Sequence, residues 1–466
     1  MSSDDELTGL TIAAAAGLIA AGKLSPVELT DAHLARIGRL DSHLNAFITV
    51  TAEQARAAAA ARADELAAGT NRGPLHGIPI ALKDNIDTAG VRTTAGSAVY
   101  ADRVPTEDAP VVTRLRDAGA VTLGKLNMHE FAYGGTSVVS AAGPVRNPWN
   151  VAYSPGGSSG GSGAAVAARL CAAALGTDTA ASVRFPAACC GVTGLKATHG
   201  LASIRGIVPL SESHDHVGPI SRSVEDCAIV MDTLVGYDPL DPTSITAELP
   251  PLTAAVGTPV HGLRLGVPRH PFYEDLDGDI ATAVDDALAV VGTLTASVVE
   301  VELPPVDSWP VLAAEVYAYH AALVADPLLR ARYDPITLER VESGAATPAA
   351  AVVESRRAMT IARNTINEHL ASAGVDVLVT PTAKVLPAGI DQSLTGPPDE
   401  GEMIRNTLPF NVYGLPAISV PCGFGRDGLP IGLHLAGPRL GEAAVIALAH
   451  AYQQATDWHT RVPEVG

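Results

Sequence analysis

CAAALGTDTAASVRFP, residues 171–186, sets a short apolar run against a turn of small residues and a proline. CAAALGTD has the length and flanks of a buried strand, and a helical pattern resumes near Pro186. Strand, tight turn and helix in so short a space form the building unit of an α/β fold. The alternation recurs outward in both directions. Apolar runs bounded by Gly, Pro or Asp lie at GIPIALKD (77–84), AVTLGK (120–125), LRLGVP (263–268), SVVEVELP (297–304), DVLVTPT (376–382) and AISVPCG (417–423). They predict buried strands with helices between several of them. The expected architecture is an α/β/α sandwich around a large mixed, mostly parallel sheet.

Residues 8–70 read as helical. Ser25-Pro26 supply an N-cap and first helical position ahead of VELTDAHLARIGRL, and Gly69 ends the alanine-rich EQARAAAAARADELAAG. Residues 310–374 read as a helical insertion carrying Tyr317, Tyr319, His320 and Tyr333, after which strands resume. No repeat or Pro/Gly/Ser linker divides the chain. One domain over 1–466 is expected: N-terminal helices (8–70), a core holding the catalytic residues (71–240), a variable helical substrate-pocket region (305–375) and a return to the sheet (376–460).

The 466 residues are 47% hydrophobic, enough for a substantial core, with 31 Lys and Arg against 50 Asp and Glu. A net charge of −19 argues against a nucleic-acid or anionic-membrane surface, whose affinity rests on basic side chains. Cys171, Cys189, Cys190, Cys227 and Cys422 show no C-x-x-C pair and no metal spacing, and read as buried small hydrophobes in a reducing compartment. The acidic start MSSDDELTGL lacks a signal peptide's basic and apolar regions, and the Ala-rich run near 163–175 is too short to span a bilayer. A cytoplasmic protein, monomer or homodimer, is expected. No metal or organic cofactor is implied.

Chemistry concentrates in three places. Lys83 closes the run GIPIAL, where a desolvated ammonium would have a lowered pKa and could act as a base; pairing with Asp84 or Asp87 is the plainer alternative. SPGGSSGGSGAAVAAR (154–169) carries Ser158, Ser159 and Ser162 among glycines that let backbone approach closely, ahead of an Ala-rich helix. Ser182 sits in a turn where backbone N–H groups of Thr179, Ala180, Ala181 and Ser182 could form an oxyanion hole; a helix N-cap is its plainer role. Asp178 and Arg184 flank it and could pin the turn. With no histidine in the segment, a lysine and a bridging serine supply a complete proton path to Ser182.

The sequence resembles the amidase signature family of serine hydrolases. The resemblance runs in order through GIPIALKDNID (77–87), LGKLNMHEFAYGGTS (123–137), PGGSSGGSGAAVAA (155–168), GTDTAASVRFPAACCGVTGLKATHG (176–200), GPISRSVEDCA (218–228), NVYGLPAISVP (411–421) and GLPIGLHLAG (428–437). It implies a Ser-cisSer-Lys triad: Ser182 as nucleophile, Ser158 as proton bridge after a cis peptide bond, Lys83 as base, with Ser159 supporting the loop. It also implies a mixed sheet of about eleven strands. Many members carry Thr-Gly-Gly-Ser where this chain has Thr179-Ala180-Ala181-Ser182, so the hole is either built in ordinary torsions or slightly rearranged.

The expected activity is hydrolysis of an aryl or aliphatic amide, with carbamate as a further possibility: an aryl acylamidase or urethanase. Tyr133, Gly134, Gly135, Tyr317, Tyr319, His320 and the 400–412 stretch are candidate pocket walls. A rival role in the same family is the glutaminase component of a glutamyl-tRNA amidotransferase complex, its A chain; residues 328–363, which resemble the helical lid of free-standing amidases, argue for the first reading. An α/β-hydrolase is disfavoured. Its G-x-S-x-G is matched at Ser158 and Ser159, but NPWNVAYSP before them is no buried strand. A scaffold with a dead site would have no need of Lys83, Ser158 and Ser182 together.

Overall fold

The computed structural model describes residues 3–395 and 399–465; Met1 and Ser2 of the acidic start lie outside them. Eleven strands form one sheet: β1 Phe47–Val50, β2 Pro79–Lys83, β3 Val121–Leu126, β4 Ala173–Thr177, β5 Thr193–Lys196, β6 Val217–Ser221, β7 Arg264–Val267, β8 Ser297–Glu300, β9 Val377–Pro381, β10 Ala417–Phe424 and β11 Pro430–Ala436. Their order is β1-β3-β2-β4-β6-β5-β10-β11-β9-β7-β8.

Helices cover both faces. Helices Ile12–Ala20, Pro110–Asp117, Val224–Leu234, Gly278–Leu294 and Glu442–Ala455 bury one apolar layer against the sheet. Helices Pro26–Leu44, Ala52–Ala67, Gly160–Ala167 and Arg184–Cys190 bury the other. Ser25 caps its helix with a full capping box: its hydroxyl accepts from Val27 N–H while Glu28 reaches back to Ser25 N–H.

All seven expected strands form, and the sheet is mixed. Parallel pairs are the minority, however: β2–β3, β2–β4, β7–β8 and β7–β9 are parallel, and the other six pairs are antiparallel. Continuous apolar runs signal burial on both faces, and helices provide that whichever way a strand points.

The helical reading of 8–70 is broken by β1, where Phe47–Val50 pairs with β3. Asn45, left-handed at φ 53°, ends the preceding helix and turns the chain into this β-branched run. β5, β6 and β11 were not legible as strands because glycine and proline interrupt them; Pro219 lies inside β6. SVVE of β8 is exposed at every residue instead of buried, because β8 is the last strand of the sheet. The expected insertion is two long helices, Trp309–Ala325 and Ala349–Ser372, with short ones between.

Candidate active site

Lys83 is the last residue of β2 and is completely buried. β2 pairs in parallel with β4, so the C-terminal ends of the two strands lie together, and the β4 end is Thr177. Lys83 Nζ lies 2.8 Å from Thr177 Oγ1 and 2.8 Å from Ser158 Oγ. Asn85 Nδ2 donates to the same Thr177 oxygen at 3.1 Å. Asp84 and Asp87 are engaged elsewhere, with Thr94 and Arg103. Burial lowers the Lys83 pKa to about 7, with Asp178 and Asp215 pulling upward. An amine that is half uncharged near neutrality can accept a serine proton.

The Ser158 loop is fixed by backbone contacts. The Gly157–Ser158 peptide is cis. The Ser158 carbonyl accepts from His129 N–H (3.1 Å) and the Ser137 hydroxyl (3.2 Å), and Ser137 Oγ accepts from Gly160 N–H. A Cβ on Gly157 would fall 2.8 Å from Gly135 C and 2.9 Å from Ser137 N, so only glycine fits that crossing. Ser159 holds the loop to β4: its hydroxyl donates to the Thr177 carbonyl and accepts Thr177 N–H.

Ser182 lines a cavity of about 440 Å³ together with Gly157, Thr179, Ala180 and Ala181. It is not an N-cap. Val183 holds that position in helix Arg184–Cys190, and the Asp178 carboxylate receives the Val183 and Arg184 N–H groups instead. Asp178 and Arg184 form a fully buried ion pair, with contacts of 2.9 Å from Arg184 Nε and from Nη2. Burial alone would raise the Asp178 carboxyl; Arg184 beside it brings it well below the usual carboxylate range. Asn411 donates to the Asp178 backbone and carboxylate, and Arg184 also holds the Ala180 and Thr407 carbonyls.

The N–H groups of residues 179–182 meet no acceptor among the described residues, and all four residues line the same cavity. Neither Ala180 nor Ala181 has a positive φ. Ordinary torsions build the turn, and alanine there carries no left-handed strain. Among the described residues the Ser158 hydroxyl is engaged with Lys83 alone, and no hydrogen bond joins it to Ser182. Such links tighten when a substrate fills the site.

Tyr133, Gly134 and Gly135 line the cavity, as do Asp399, Gly401 and Ile404 at the start of the 400–412 stretch. A Cβ on Gly134 would lie 2.2 Å from the His129 ring. Tyr317 and His320 do not line it, against expectation. His320 is buried, with Nδ1 2.7 Å from the Tyr333 hydroxyl and its ring packed on Phe131. Tyr317 packs in the neighbouring apolar cluster, and the Tyr319 hydroxyl meets that of Tyr100. Helix periodicity placed these residues on helices but could not say which side of them faces the cavity.

Trp309, Leu312 and Arg340, within the expected pocket region, and Leu210, outside it, are walls that sequence reasoning did not single out. Nor did it single out Thr177, Asn85, Ser137 and Asn411. They lie inside the motif segments or beside them, yet only contacts across 21 to 233 residues of chain reveal their parts. Cys171, Cys189 and Cys190 are buried free thiols whose pKa burial raises. No described helix is long and apolar enough to cross a membrane.

Known proteins are similar to the chain over nearly its whole length. The family described as Amidase matches residues 28–446. The A component of glutamyl-tRNA(Gln) amidotransferase from Thioalkalivibrio sulfidiphilus is 42% identical over 97% of this chain and 99% of its own. The same component from Roseiflexus castenholzii is 41% identical over 98% of each. Among solved structures, the peptide amidase of Stenotrophomonas maltophilia superposes with a TM-score of 0.85 at 35% identity, covering 98% of both chains. An inhibitor-bound complex described as revealing the origins of an s-triazine catabolic enzyme gives 0.89 at 34% identity, over 96% of this chain and 98% of that one. With the family matched from 28 to 446 and the fold shared nearly end to end, the chain belongs to the amidase family.

Proposed function

We propose that the chain hydrolyses the C–N bond of a small carboxamide through an acyl-enzyme on Ser182. The observation that carries this is the Lys83–Ser158 contact of 2.8 Å at the end of a buried strand; the N–H groups of 179–182, without an acceptor among the described residues, add to it. Uncharged Lys83 takes the Ser158 proton as Ser158 takes that of Ser182, whose Oγ attacks the carbonyl carbon. The N–H groups of the turn receive the developing oxyanion. As the tetrahedral species collapses, Ser158 returns the proton to the departing nitrogen, and water then releases the acid by the same path in reverse.

Two forms of this reaction compete for the substrate. The relatives favour a glutaminase component of an amidotransferase: 42% identity across nearly the whole chain, against 29–35% for the solved amidases and hydrolases. Glutamine's side-chain amide would then be the substrate and a partner protein the consumer of its ammonia. The second reading, a free-acting amidase for an aryl or aliphatic amide or carbamate, is favoured by apolar walls at Tyr133, Leu210, Trp309, Leu312 and Ile404.

Ammonia release from glutamine, set beside hydrolysis of a 4-nitroanilide and a matching aryl carbamate, tests both forms. Ser182→Ala should abolish every activity seen, a loss of more than about 10³-fold. Glutaminase activity confined to protein co-purified with its partners selects the first form; anilide turnover by the chain alone selects the second. Activity surviving in Ser182→Ala would overturn the mechanism.

A further inference from the structure

A second cavity, of about 340 Å³, is lined by Arg169, Arg222, Arg461, His450 and His459, with Glu225 its one carboxylate. Three arginines in one wall stand out in a chain of net charge −19. The cavity is distinct from that of Ser182, with which it shares no lining residue. Ala167 and Cys190 in its wall are the last residues of helices Gly160–Ala167 and Arg184–Cys190, which begin next to Ser159 and shortly after Ser182.

Arg169 and Arg222 are both half-buried, and neither forms an ion pair among the described residues. Arg222 donates through Nη2 to the Gly9 and Leu10 carbonyls, while its Nη1 has no acceptor. Arg169 Nε and His459 Nδ1 are also buried without one. The Arg222 pKa is lowered to about 10, chiefly by burial, with Asp226 opposing the fall and Arg169 and Arg36 contributing to it. Helix C-termini at Ala167 and Cys190 offset part of the positive charge. They do not use the vacant donors, and a buried charge is ordinarily paired. Arg461, over the Trp458 ring at 4.5 Å and 3.6 Å from the Asp457 carboxylate, is a third guanidinium in the wall.

We propose that this cavity binds a small oxyanion, a phosphate or carboxylate group gripped by Arg169, Arg222 and Arg461 with His459. Planar guanidinium groups suit such oxygens because each can offer two parallel N–H donors. The proposal is independent of the reaction at Ser182.

Thermal unfolding of the full chain, titrated with inorganic phosphate and separately with citrate at ionic strength held constant by sodium chloride, tests it. The midpoint should rise with at least one of the two anions and saturate, because the ligand binds the folded state. Arg169→Gln should weaken that response about tenfold, as expected for one lost charge-assisted hydrogen bond. Arg461→Gln, at a more exposed position, should weaken it as well and covers the case in which the first variant folds poorly. A midpoint that follows ionic strength alone, or a saturable rise left unchanged in both variants, would overturn the proposal.

Discussion

The ends of β2 and β4 and the helical insertion over 309–372 both shape the catalytic cavity, but they are built in opposite ways. At the strand ends Lys83, Asp178 and Thr179 are buried and hydrogen-bonded: Lys83 to Ser158 and Thr177, Asp178 to Arg184 and Asn411, Thr179 to Asp215. The insertion presents Trp309 with about half its surface exposed, and contributes Leu312, Arg340 and Ser343 to the wall. Reacting groups thus sit where packing leaves each one conformation, while substrate choice sits on a layer packed over the sheet. A fixed centre serves transition-state geometry, and a more open wall can change shape without disturbing it.

The sharpest break in that comparison comes from the strand end. Lys83→Met should lower kcat/KM by about 10²–10⁴-fold with the fold retained, as judged by circular dichroism. Wild-type kcat/KM should rise as pH increases through about 7, because Lys83 is a base only when uncharged and is protonated below its lowered pKa. A rate that falls over that interval would mean the charged amine is the working form.

Next in size is the ion pair beneath the turn. Arg184→Leu leaves the Asp178 carboxylate buried and unpaired, and should cost about 3–5 kcal/mol of stability by urea unfolding. Adding Asp178→Asn should restore part of it, since the stranded charge is then gone. A loss below about 1 kcal/mol would show the turn to be held by other contacts.

The smallest effect belongs to the insertion. Trp309→Ala should raise KM a few-fold with kcat nearly unchanged, the signature of lost uniform binding. Its stability effect should stay within about 0.5 kcal/mol, because the side chain is half exposed. A fall in kcat with KM unchanged would place Trp309 with the reacting groups and erase the contrast between the two regions.

The sequence by itself determined the α/β class, because apolar runs bounded by turn residues can be buried only as sheet between helices. It also singled out Lys83, the glycine-serine loop and the 178–184 turn, since a basic residue closing a buried run and backbone flanked by opposite charges are local signals. What it left open has one cause. β6, with Pro219 in it, and β11, with Pro430 and Gly432 in it, become strands through the neighbours that receive their backbone groups, and β4 and β9 among those neighbours are separated from them by other elements of the chain. Thr177 and Asn411 take their parts in the same way, each completing a buried polar group that another segment brings in. Tyr317 and His320 mark the limit from the other side. A helical pattern shows that a face is buried, but only the packed structure decides whether that face meets the core or the cavity.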